Sequence, residues 1–181
     1  MFYEQFFLFY IGKFWKADLK IPHCYVALFS SNVKTNPAKP IAKLVQAKPV
    51  ALKQSPQTFE AEEAGRKGPS VAKNNGGYTG KGFIDFQEPS GEHLKWLIQS
   101  NSEGECTLSF RYALAGSNRP LQLKVNGKII TKAMPFMGTG SWTTWKSISA
   151  EAPLKAGVND IRLESTGASG PNIDSLIIVR K

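Results

Sequence analysis

Alternation with a period of two dominates the chain from residue 57 onward. Leu94-Lys-Trp96-Leu-Ile98, Cys106-Thr-Leu108-Ser-Phe110-Arg-Tyr112, Leu121-Gln-Leu123-Lys-Val125 and Ile161-Arg-Leu163 each repeat apolar side chains at every second position. Such runs bury one face and leave the other wet, which is the mark of half-buried strands. Ile173-Asp-Ser-Leu176-Ile-Ile-Val179 adds a further run near the end. Asn126-Gly127 stands between two runs and predicts a tight hairpin, because both residues tolerate positive φ. Turn clusters at 74–77, 89–91, 115–118 and 138–140 separate the rest. No stretch after residue 57 carries a helical period of useful length. The expected fold is all-β: an antiparallel β-sandwich over 57–181, preceded by a non-globular N-terminal segment.

The first 56 residues differ in kind. Six of the eleven phenylalanines lie within 1–33, yet the apolar run Phe6–Ile11 is far shorter than the roughly 20 residues of a membrane-spanning helix. Residues 1–33 read either as an export signal or as the end of a longer protein. Residues 34–56 combine Pro37, Pro40, Pro49 and Pro56 with regularly spaced lysines, and are expected to form a semi-extended spacer.

Charge follows the same division. The chain carries a formal +9, of which residues 1–56 supply eight lysines against Glu4 and Asp18, or +6. The remainder is nearly balanced. A basic tether without stacking aromatics or a recognised motif does not make a nucleic-acid surface, so no nucleic-acid partner is expected. Membrane association is expected, if at all, through residues 1–33 alone.

Catalytic patterns are missing. Gly76-Gly77-Tyr78-Thr79-Gly80-Lys81-Gly82 imitates a phosphate loop but has Asn75 for its first glycine and Gly82 where Ser or Thr should follow the lysine. There is no Gly-x-Ser-x-Gly elbow, and His93 has no evident nucleophile beside it. The expectation is a protein that is not an enzyme.

Two groups of residues point to binding. Glu60 and Glu62 in Phe59-Glu60-Ala61-Glu62 leave a strand on the same face, where they repel unless a cation lies between them. Asp174 is a candidate third carboxylate, because first and last strands often pair in sandwiches. A solvated acidic edge is the competing explanation. Trp142 and Trp145, three apart in an extended chain, leave on opposite faces. One of them is expected at a loop rim and the other in the core. Trp142 is assigned to the rim because it follows the polar run 138–141, and Trp145 to the core. An exposed ring beside loop amides and guanidinium groups suits a sugar, with Asn118, Arg119 and Asn172 as candidates for its hydroxyls.

FEAEEA (59–64), NNGGYTGKGFIDF (74–86), LSFRYALAGSNRPLQLKVNG (108–127), TGSWTTW (139–145), LKAGVNDIRLES (154–165) and GPNIDSLII (170–178) together resemble the carbohydrate-binding modules of family 35, with family 6 as close neighbour. The resemblance covers 57–181. It implies a β-jelly-roll and a structural Ca²⁺ held by Glu60, Glu62 and Asp174 with carbonyls from the 66–78 loop. It further implies a sugar site with Trp142 as platform, Asn172 as hydroxyl partner, and Tyr78 and Arg119 as weaker matches. Phe83 falls where related modules carry a second ring. The implied ligands are uronic acids, galactosides or mannans. The implied setting is a secreted or cell-surface module within a larger multidomain protein. The alternative is a structural or protein-interaction sandwich whose sugar site has decayed.

Overall fold

A computed structural model describes residues 43–181. The expectations for residues 1–33, and for the first part of 34–56, lie outside the described residues. Among the described residues there is no helix, and thirteen strands run in chain order: β1 (Leu44–Val45), β2 (Pro49–Ala51), β3 (Gln57–Glu60), β4 (Gly65–Lys67), β5 (Ser70–Ala72), β6 (Phe83–Asp85), β7 (Ser90–Ser100), β8 (Gly104–Ala113), β9 (Leu121–Val125), β10 (Lys128–Met134), β11 (Trp145–Leu154), β12 (Gly157–Thr166) and β13 (Asn172–Arg180).

They form two sheets packed as the expected jelly-roll sandwich. The first has the order β1-β4-β7-β12-β9-β10, with β2 also on β7. The second has the order β11-β8-β13-β6-β5, with β3 also on β13. Every pairing is antiparallel except β2 with β7. Short strands share long ones end to end: β6 and β3 lie in turn along one edge of β13, and β4 and β2 along one edge of β7.

The alternating runs supply the interior. Leu94, Trp96 and Ile98 from β7, Cys106, Leu108, Phe110 and Tyr112 from β8, and Leu121, Leu123 and Val125 from β9 are all buried in one cluster with Ile161, Leu163, Leu176 and Ile178. The hairpin closes as expected, with Val125 opposite Lys128 and φ of 51° at Asn126 and 79° at Gly127.

One boundary needs correction. The stretch read as a spacer contributes β1 and β2 to the first sheet, and Leu52 is buried in the core. The Leu52 N–H donates to the Gln99 carbonyl at 2.8 Å. Gln57 clamps the following turn: its Oε1 accepts from Lys53 N–H at 2.7 Å and its Nε2 donates to the Ala51 carbonyl at 2.9 Å. Proline and lysine describe a linker, but they equally describe an edge strand. Proline is tolerated where no ladder donor is needed, and lysine guards an open edge.

A chain shortened to 57–181 therefore loses two strands and a core side chain. It should melt at a lower temperature than 43–181. Leu52→Ala in the full chain should cost about 2 kcal/mol, measured by urea unfolding. Equal melting temperatures for the two lengths would show that β1 and β2 only rest on the sheet.

Candidate functional site

The outward face of the second sheet carries most of the polar chemistry. On β8 the even-numbered residues 106–112 point inward, so Arg111 and Ala113 point outward. Register carries this to the neighbours: Ala113 lies opposite Trp145 on β11 and opposite Asn172 on β13, and Asn172 lies opposite Asp85 on β6. The β13 ladder shifts register between Ile173 and Ser175. Such a bulge re-aims a side chain, and here the extra residue is Asp174.

Asp174 has no exposed surface, and its carboxylate is fully engaged. It accepts from Thr79 N–H at 2.8 Å, from Thr79 Oγ1 at 2.9 Å and from the Arg111 guanidinium. Arg111 also donates to the Gly77 carbonyl at 2.9 Å. Glu60 accepts from Thr79 Oγ1 at 2.9 Å, and Glu62 accepts from Lys81 N–H. Gly80, at φ 64°, passes between these acids: a Cβ there would overlap Glu62 Oε1. Burial raises the Glu60 carboxyl above its ordinary value, and the Asp174 and Glu62 carboxylates add to this against the opposing Thr79 bond.

The three acids expected to hold a metal thus all converge on the backbone of 79–81. Among the described residues, no three His, Cys, Asp or Glu side chains gather closely enough to coordinate one ion as they stand. One feature nonetheless suits a hard cation: Glu62 Oε2 is buried with no partner. The carbonyls expected from the 66–78 loop are partly committed. Gly76 accepts from Trp145 Nε1 at 2.9 Å and Gly77 from Arg111, while 65–67 and 70–72 are strands rather than loop.

A small aromatic cluster sits beside the acids, outside the main core. Phe83 is fully buried, with Tyr78 at 5.7 Å and Trp145 at 5.6 Å between ring centroids. The Arg111 guanidinium lies 5.1 Å from the Trp145 ring. Phe83 is therefore no accessible second platform, and Trp145 is not a core residue. Parity explains the second point. Ile148, Ala150, Ala152 and Leu154 point inward, so Trp145, an odd number of residues away, points outward.

Trp142 stands elsewhere, among the loops at 114–119, 135–142 and 166–171. It is half-buried and packs on the main core. The Arg119 guanidinium lies 5.3 Å from its ring centroid, and Arg119 Nη1 donates to Ser169 Oγ at 3.2 Å. The run 138–141 is not the loose one its composition implies. Thr139 is buried, its N–H donates to the Leu114 carbonyl at 2.8 Å, and its hydroxyl accepts from Leu114 N–H at 2.9 Å. Of the four expected sugar residues, the structure joins Trp142 with Arg119 and places Tyr78 in the Phe83 cluster. Asn172 is buried at the start of β13. Sequence reasoning missed Arg111 and Thr79; the one signal for Arg111 was a lone cation on an outward face otherwise holding Ser109 and Ala113.

Residues 50–180 match the family model described as Carbohydrate binding module (family 6). The chain belongs to this family. It is similar to a family 35 module from Clostridium thermocellum, at 35% identity and a TM-score of 0.67, covering 71% of this chain and 100% of that one. It is also similar to a family 35 module solved in complex with a glucuronic acid containing disaccharide, at 33% identity and a TM-score of 0.61, covering 67% and 91%. Among curated proteins, an exo-beta-D-glucosaminidase from Amycolatopsis orientalis is 34% identical over 125 residues, 68% of this chain. The chain spans 12% of that enzyme and less than a fifth of other curated relatives. The matched domain is a carbohydrate-binding module and is not catalytic.

Removing Arg111 leaves Asp174 buried without its cation. Arg111→Met should cost about 3 kcal/mol in chemical unfolding. A loss well below that would show that Thr79 alone satisfies the carboxylate.

Proposed function

We propose that the module binds glycans bearing a uronic acid, at the loop end where Trp142 and Arg119 meet. The observation that carries this is the guanidinium held beside the indole ring by Ser169. A ring stacks on the C–H face of a pyranose, while a planar guanidinium pairs with a carboxylate through two parallel bonds. The relative solved with a glucuronic acid containing disaccharide supports the same ligand class. Asn172 remains the proposed partner for a hydroxyl. In this reading the chain serves as a targeting module of a larger carbohydrate-active protein that is secreted or held at the cell surface. The support is its small share of the length of enzymes it resembles.

The test is titration calorimetry with a glucuronic acid containing oligosaccharide. Trp142→Ala should weaken binding by about 1–3 kcal/mol, by analogy with stacking of aromatic rings on bases. Arg119→Ala should weaken binding of the uronate and leave binding of the uncharged sugar unchanged. Absence of binding to any glycan, with the fold intact, would favour the sandwich with a decayed site.

We also propose a structural Ca²⁺ with Glu60, Glu62 and Asp174 as its side-chain ligands. The unpartnered Glu62 Oε2 and the raised Glu60 carboxyl support this. Bound there, the ion would neutralise acids that now rely on Thr79, Lys81 and Arg111. Calcium at 100-fold excess over Kd should stabilise the fold by about 2.7 kcal/mol. That corresponds to a rise of roughly several degrees in Tm against chelator, and Glu62→Gln should abolish the difference. Coincident melts with calcium and chelator would remove the metal from the account.

A further inference from the structure

A cavity of about 340 Å³ opens at the edge of the sandwich, where the chain before and within β2 passes β3. Ala47, Val50, Phe59 and Ala64 give it apolar walls, and Trp96 and the exposed Thr58 complete the lining used here. It is separate from both sites above: neither Trp142 nor Arg119 nor Asp174 lines it. Its outer wall includes residues 47–49, which precede the region the family model matches.

Trp96 is the informative residue. It is 4% exposed, and its Nε1 has no hydrogen-bond partner. Buried indole N–H groups normally find an acceptor. A single bridging water would satisfy the donor, but a water takes about 30 Å³ in the liquid, roughly a tenth of this space. Pockets for small ligands begin at about 300 Å³. A pyranose fits the lining chemically. Its hydroxyls accept from an indole and donate to carboxylates such as Glu63, also in the wall, while its C–H faces meet the apolar side chains. From the size of this cavity and its orphaned donor, we infer that it is a second sugar site for one uncharged pyranose unit, with a hydroxyl oxygen accepting from Trp96 Nε1.

The experiment uses the full chain labelled with ¹⁵N and follows the tryptophan indole signals during titration with D-glucose. Trp96→Phe keeps the ring and removes the donor, so it assigns the Trp96 signal. Glucose should move that signal along a saturating curve. The response should persist in Trp142→Ala, which separates it from the loop-end site and from the uronate reading. Thr58→Phe, at an exposed position of the lining, should weaken it at least tenfold even if Trp96→Phe fails to fold. A Trp96 signal that stays still up to the solubility of glucose would overturn the inference and leave the cavity to water. So would a response lost in Trp142→Ala, or one unchanged in Thr58→Phe.

Discussion

A carboxylate with no exposed surface organises one face of this module. Asp174 leaves β13 at a register shift and takes bonds from both donors of Thr79 and from Arg111. A buried charge is tolerated only when paired and hydrogen-bonded. Satisfying it obliges the 73–82 segment to fold back over the second sheet. That in turn places Gly76 on Trp145, Gly77 on Arg111 and Tyr78 over Phe83. The acids and the aromatic cluster are thus two results of one electrostatic demand.

The domain therefore has two hydrophobic centres of unequal size. The main one lies between the sheets. The smaller one, around Phe83, lies outside the second sheet under a loop. This division separates the candidate sugar residues. Tyr78 and Trp145 maintain the clasp, whereas Trp142 and Arg119 stand among loops that the clasp does not touch.

Much of this was legible in the sequence, and the failures have physical causes. Alternation in β7, β8 and β9 marked the buried faces, since burial on one side imposes that period. Asn126-Gly127 marked its hairpin because few residues accept its backbone. Parity also held the correct face for Trp145, counted back from Ile148, but the reading rested on the wrong neighbour. Pro49 and Lys53 concealed β2, because composition does not distinguish a tether from a guarded edge. The burial of Phe83 depends on a loop that covers it from nine residues or fewer upstream, and no local pattern records that cover. Arg111 was unreadable for a similar reason: its partner lies 63 residues away.

The way Thr139 is tied has a consequence for how such a surface diversifies. Its bonds at 114 go to backbone atoms, the N–H and carbonyl of Leu114, and so are indifferent to the identity of the residues that follow. The side chains of 115–119 can drift, altering what lies beside the Trp142 ring, while the loop that bears the ring keeps its place. Ligand preference can then change by substitution in one short segment, without a compensating change in the segment that faces it.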